Sequence, residues 1–328
     1  MTTIAYELRR RRALPLPPRR ALARLVALVV TLVFAALFVR HGSLQHAWHA
    51  AASLPLWTVG VALAAIGSGM WFTALRWRIL LGGAGADVPT RRLFAALAAG
   101  AAANNVLPAR GGDLVRIAAV REAAPKSAIV GTLAAERLLD GFTLALLIVL
   151  GTVVSGAGAP LLPLGLGLAA ATAAALLLAT RLSPEAVERL APVLPARMRA
   201  RTLGLVNGFA GGLTPLRAPR LLARALAASF ALWLCDVAMY GAIAAGFHLP
   251  LGIGGWFLLE GMGNLALAVP ATAAGVGTFD YLTLIGVRSL GIGAAAASAY
   301  VLTIHALVVL PATILGALLA RNALRAAR

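Results

Sequence analysis

The sequence predicts an all-α polytopic membrane protein with about six transmembrane helices and two re-entrant helical hairpins in an inverted internal repeat. Three observations carry that prediction. Hydrophobic residues make up 61% of the chain and charged residues 12%, against roughly 25% charge in a soluble domain. Uncharged apolar runs able to cross a hydrocarbon core of about 30 Å recur at Leu25–Val39, Leu56–Leu75, Leu161–Thr180 and Ala294–Leu319. Two shorter apolar runs end in polar, helix-breaking stretches, NNVLPARGGDLVR (Asn104–Arg116) and PATAAGVGTFDY (Pro270–Tyr281).

Residues 1–20 form a basic tail, and residues 21–328 read as one integral membrane domain. The tail resembles the start of a signal peptide. No small-x-small cleavage site follows, and Arg40 and His41 come directly after the apolar run, so 21–39 is expected as an uncleaved first span. The second span is expected over 56–75. Leu93–Leu107 follows, which as a helix reaches only about 22 Å. Pro108, Gly111 and Gly112 break it, and a short helix from Leu114 to about Glu122 comes next. Broken backbone of this kind is tolerated at membrane depth only inside protein or beside a polar cavity. Spans at 128–154 and 161–180 come next. Residues 184–202 read either as an interfacial segment for anionic head groups or as a solvated basic loop. After a span at 221–247, the short run Ile253–Val269 is broken at Pro270, Gly275 and Gly277. A half-helix to Leu290 and a last span at 294–320 complete the chain.

The net charge of +18 reads as topology and not as a nucleic-acid surface. With the N-terminal arginines inside, Arg76, Arg78, Arg91, Arg92, Arg121, Lys126, the arginines between 181 and 220, and Arg321, Arg325 and Arg328 all fall inside. The outside connections hold only Arg40. This distribution obeys the positive-inside rule only if both hairpins re-enter, and it puts both termini in the cytoplasm of a bacterial inner membrane. Cys235 is the single cysteine, which excludes an intrachain disulfide and a thiolate metal cluster.

A repeat follows from the pattern. ALAA at Ala62 leads to Pro108, and ALAA at Ala225 leads to Pro270. Between them, Val88–Pro89 then Leu93–Phe94 parallels Leu249–Pro250 then Trp256–Phe257. Repeat one covers about 56–154 and repeat two about 221–320. Three crossings separate their starts, so the second copy is inverted, the architecture of many secondary transporters.

Charges at membrane depth cost about 2.5–3.5 kcal/mol each on insertion scales, so each needs a partner or a purpose. Arg110 and Arg116 match a lipid phosphate bidentately, and the half-helix after Gly112 adds its dipole. Asp113 is placed to cap that helix and to pair with Arg116. Asn104 and Asn105 have two readings, head-group coordination or satisfaction of broken backbone. Gly111, Gly112, Gly275 and Gly277 read as backbone devices. Glu136 and Asp140 share one helix face beside Arg137. They are expected to anchor Arg110 or Arg116 or to take a coupling proton. Asp236 and Glu260 are carboxylates at membrane depth. His305 reads as a hydrogen-bonded packing residue.

NNVLPARGGDLVR, the later ERLLD (Glu136–Asp140) and PATAAGVGTFDY together resemble the lysylphosphatidylglycerol synthase transmembrane-region family, from roughly Leu56 to the end. The resemblance implies a flippase-like, lipid-translocating module. Some relatives fuse it to a soluble aminoacyl-lipid synthase domain. With the chain ending at Arg328, none is expected here. Two positions depart from the family pattern: Asp280 stands where Glu is more common, and Ala274 where Gly is common.

The expected function is translocation of an anionic lipid or lipid-linked intermediate through a midplane polar cavity. Arg110, Arg116, Arg137, Asn104 and Asn105 would hold the head group. Asp113, Glu136, Asp140, Asp236, Glu260 and Asp280 would support it or couple protons. An intramembrane lipid-modifying enzyme and a non-transporting scaffold are the alternatives. No nucleophile–base pattern or P-loop is present, so no enzyme activity, cofactor or ATP use is expected. The implied partners are anionic lipids and an enzyme that synthesises the transported lipid.

Overall fold

Long apolar stretches bounded by proline or glycine set the helices. The computed structural model describes residues 19–43, 49, 51–106, 111–157, 159–181, 196–268 and 273–326. Pro108, Arg110 and Pro270 therefore lie outside the described residues, as do 1–18 and most of the 184–202 segment. Among the described residues the helices are α1 (Arg19–His41), α2 (Leu56–Gly83), α3 (Thr90–Val106), α4 (Gly112–Val120), α5 (Lys126–Ser155), α6 (Leu162–Arg181), α7 (Ala196–Leu213), α8 (Pro219–Gly246), α9 (Ile253–Ala268), α10 (Thr278–Ser289) and α11 (Ala294–Ala326). Pro55 and Pro125 stand at the N-caps of α2 and α5, and Pro219 opens α8. Proline suits a helix start because the first N–H groups have no intrahelical acceptor. Gly156, at φ 66°, stops α5 in the left-handed conformation.

Among the described residues five stretches are long and apolar enough to cross a membrane: Leu56–Gly83, Lys126–Ser155, Ala159–Arg181, Pro219–Gly246 and Ala294–Leu319. Leu28–His41 of α1 is a shorter apolar helix. The second of the expected spans needs correction. Helix α2 does not end near residue 75 but continues to Gly83, carrying Arg76 and Trp77 into the protein.

At both expected breaks the described flanks are helical, with residues 107–110 and 269–272 outside the described residues. Helices α3 and α4 fold back on one another, and so do α9 and α10. In the first pair the Gly112 N–H donates to Asn104 Oδ1 at 2.8 Å. A Cβ at Gly112 would meet Asn104 and the Gly100 carbonyl, so glycine is what lets the two helices close.

The helix order long–short–short–long occurs twice, in α2–α5 and in α8–α11. The packing has the same symmetry. Helix α2 packs most extensively on α8, α3 on α11, and α9 on α5. Glycine contacts give the directions. Gly246 lies against Thr58, Gly69 against Leu232 and Asp236, and Gly83 against Leu221, so α2 and α8 run antiparallel. Gly254 against Ser155 and Gly261 against Ile148 make α9 and α5 antiparallel. Gly316 against Ala98, with Asn105 donating to Val309 O and Thr313 Oγ1 at 3.3 and 2.9 Å, does the same for α11 and α3. Small residues at these crossings let backbones approach, which drives helix association in lipid.

The described flanks of the two breaks come close to the same helices. The 3₁₀ turn Ala273–Gly275 packs on α3, and Asn105 reaches the middle of α11. Each hairpin has its own apolar core. Ala74, Trp77, Leu93, Leu97, Val120 and Ile129 surround the first. Tyr240, Leu259, Phe279, Leu284, Tyr300 and Ile304 surround the second.

Candidate functional site: an arginine–carboxylate cluster at the first break

Helix α4 begins at the first break and presents Arg116 one turn in. That side chain is 8% exposed. Its guanidinium carbon lies 4.3 Å from the centroid of the Trp77 ring, a cation–π distance. Arg116 donates to Glu136 on α5 and, at 3.5 Å, to Asp113 on its own helix. Arg76, 2% exposed, donates to Asp140 at 2.5 and 3.3 Å and to Ser229 on α8 at 3.0 Å. Its second ion pair is to Glu136 at 3.6 Å. Trp77 is fixed by its Nε1–H donating to Thr132 on α5 at 3.2 Å. Glu136 thus serves two buried arginines, and the cluster joins α2, α4 and α5 with α8.

The expected sharing of one face by Glu136 and Asp140 places them as the anchors of Arg116 and Arg76. Arg137 points away from them and is exposed. It meets Asp113 at 3.3 Å, a partly solvated pair of at most about 1 kcal/mol. Of the two readings of Asp113, the pairing with Arg116 is found, Arg137 is a second partner, and no backbone N–H bonds its carboxylate among the described residues. Two charged partners outbid one backbone N–H. Gly111 has an ordinary right-handed φ of −62°, so it is not there for positive φ. Asn104 satisfies the broken backbone, and Asn105 ties α3 to α11. Arg110 lies outside the described residues.

Arg76 is the residue that sequence reasoning placed in a cytoplasmic loop. The available signal was the pair Arg76–Trp77 at the end of an apolar run. A tryptophan there argues for continued burial. Within the cluster, the Nε–H groups of Arg76 and Arg116 are buried with no hydrogen-bond partner among the described residues. A buried donor left unsatisfied costs about 1–3 kcal/mol.

The second break is built differently. Asp280 accepts from the Gly277 N–H at 2.9 Å and contacts His305 Nδ1 at 2.5 Å. His305 Nε2 lies 3.1 Å from the Ala274 carbonyl. The imidazole therefore pins the break to α11. Gly275 and Gly277 have φ 72° and 84°, as their glycines permit. Gly277 also lies against the α1 backbone at Thr31 and Ala35. Glu260, 2% exposed, accepts from Asn264 at 2.6 Å. Asp236 lies on the α2–α8 face, 3.0 Å from where a Gly69 Cβ would stand. Among the described residues, Asp236, Glu260 and Asp280 thus make no ion pair with the arginines of the cluster.

Ala274 has φ 60°, a left-handed conformation, at the position where glycine was expected. The left-handed region costs an L-residue about 1–2 kcal/mol, and glycine returns roughly 0.4–1 kcal/mol to the unfolded chain. Ala274→Gly is therefore expected to stabilise by about 0.5–1 kcal/mol, read as a raised thermal midpoint in detergent. A lowered midpoint would contradict the strain.

Residues 24–316 match the family described as lysylphosphatidylglycerol synthase TM region. No curated protein and no solved structure matches the chain. With helices long and apolar enough to make it a multi-pass membrane protein, and a match over most of its length, the chain belongs to the lysylphosphatidylglycerol synthase TM region family.

Proposed function

We propose that the protein translocates an anionic lipid or lipid-linked intermediate across the bacterial inner membrane, by transport and without covalent chemistry. The observation that carries this reading is the pair of buried Nε–H donors on Arg76 and Arg116 that find no acceptor among the described residues. Both arginines sit in a cluster whose other positions are taken by the protein's own carboxylates. Three guanidiniums and three carboxylates balance: Arg76, Arg116 and Arg137 against Asp113, Glu136 and Asp140. A phosphate is a better bidentate match for a guanidinium than a shared carboxylate oxygen. On arrival it would take Arg116 from Glu136, which then belongs to Arg76 alone. Arg110, from the break itself, would add the charge that makes the loaded site attractive to one anion.

Both hairpins are read as re-entrant, from the cytoplasm for α3–α4 and from the periplasm for α9–α10. Antiparallel α2 and α8, and the bonds of Asn105 and Asp280 to the middle of α11, support that. Both termini then lie in the cytoplasm, following the charge distribution. Rocking of one repeat on the other would alternate access. The topology has a simple test. Ala123→Cys in a Cys235→Ser background should be labelled by an impermeant maleimide only after the membrane is opened. Labelling from the periplasm defeats the topology.

Translocation is measured in vesicles of phosphatidylglycerol and phosphatidylcholine with fluorescent lipid and an impermeant quencher. Wild-type protein should accelerate exchange of the anionic lipid. Arg116→Gln and Arg110→Ala should slow it by roughly ten- to hundredfold, matching the about 1.5–3 kcal/mol of a charge-assisted contact. Equal rates with and without protein, across several anionic lipids, sink the reading. A chemically altered lipid in the same vesicles points to an enzyme instead.

A further inference from the structure

We propose that the crevice between α2, α3 and α11 holds one hydrocarbon chain of the lipid whose head group sits at the arginine cluster. The site rests on the translocation reading above and adds where the apolar part of the substrate goes. The crevice has a volume of about 140 Å³, and its lining includes Leu63, Gly67, Met70, Phe94, Pro311 and Leu315. No lining residue carries a polar side chain.

Its position links it to the cluster. Leu63, Gly67 and Met70 follow one another at helical spacing on one stripe of α2. The stripe continues through Ala74 to Trp77, the ring that carries Arg116. Met70 and Phe94 pack on that same apolar core. From Gly67 to Trp77 is about 15 Å along a helix, half of a hydrocarbon core of about 30 Å, which is the reach of one leaflet's chain. The walls come from both repeats, α2 and α3 from one and α11 from the other. Movement of one repeat on the other would therefore open or close the groove.

Gly67 makes the space. A Cβ there would meet nothing within 4 Å, whereas Gly69, on the other face, packs against Asp236. Gly67→Leu therefore puts bulk into the crevice from a position where the first added carbon meets no neighbour. Gly60 is equally unobstructed and, like Gly67, exposed, but it does not line the crevice, so Gly60→Leu adds the same bulk as a control.

The test uses phosphatidylglycerol vesicles with a trace of phosphatidylglycerol bearing a diazirine near one chain end. After illumination, wild-type protein should carry the label mainly on Met70 and Phe94. Gly67→Leu should reduce that yield at least tenfold, Gly67→Ala by less, and Gly60→Leu not at all. Label spread evenly over exposed apolar residues such as Trp57 and Leu164, with Met70 and Phe94 unaffected by Gly67→Leu, overturns the chain site. The same vesicles are scored for head-group translocation. Gly67-dependent labelling in a wild-type protein that moves no lipid keeps the chain site and sinks translocation. Translocation with Gly67-independent labelling does the reverse.

Discussion

Glu136→Ala is expected to lower stability by about 3–5 kcal/mol, the cost of removing one partner from a buried ion pair. Glu136 is 2% exposed and faces Arg116 and Arg76, themselves 8% and 2% exposed. Its loss leaves two buried guanidiniums with Asp113 and Asp140 only. The cluster joins α2, α4, α5 and α8, so the penalty reaches both repeats. Arg76→Ala should cost a similar amount, because it leaves Asp140 without its guanidinium and Glu136 with Arg116 alone. The double variant should cost clearly less than the two singles added, since the Arg76–Glu136 pair is then lost once and not twice, and the two sites share a network. Cys235, the single cysteine, lets a thiol-reactive dye follow unfolding in detergent. A loss below about 1 kcal/mol for Glu136→Ala, or strict additivity in the double variant, would show that the cluster is solvated and not a buried network.

The helical class and the two breaks were legible because their causes are local. Apolar runs of spanning length and proline–glycine interruptions lie within a few residues of one another. The shared face of Glu136 and Asp140 was legible for the same reason, as a spacing of one helical turn. What could not be read depends on partners far along the chain. Arg76 looked like a loop residue because the apolar run stops before it. It stays helical and buried because Asp140 and Ser229 neutralise and bond it from other helices. Asp113 looked like a cap because the local rule is sound, yet Arg137 on α5 claims it. His305 was read as a bonded packing residue, and it is bonded, but its partners at the second break had no signature in its own helix. The departure at Ala274 was visible as a missing glycine, and its meaning came from the φ of 60°.

Gly316→Leu and Gly151→Leu are expected to have matching effects, because they strike equivalent crossings in the two repeats. A Cβ at Gly316 would press on the Ala98 carbonyl and Ala102 of α3. A Cβ at Gly151 would press on the backbone of Gly254 and Leu258 of α9. Both are collisions with backbone, which cannot rotate away as a side-chain tip can. Overpacking a close contact costs typically about 1–3 kcal/mol. Here the helices must also separate, losing the dispersion contacts that hold helices together in lipid. Each variant should therefore lose about 3 kcal/mol or more. The two crossings involve different helix pairs with no shared side chain, so the double variant should lose the sum within roughly 0.5 kcal/mol. Thermal unfolding in detergent, again through Cys235, measures all three. A large loss at one crossing and almost none at the other would break the equivalence of α3–α11 with α9–α5, and with it the rocking of matched repeats. Equal losses, with translocation slowed in both, would tie the movement of lipid to the hinge between the copies and not to the arginine cluster alone.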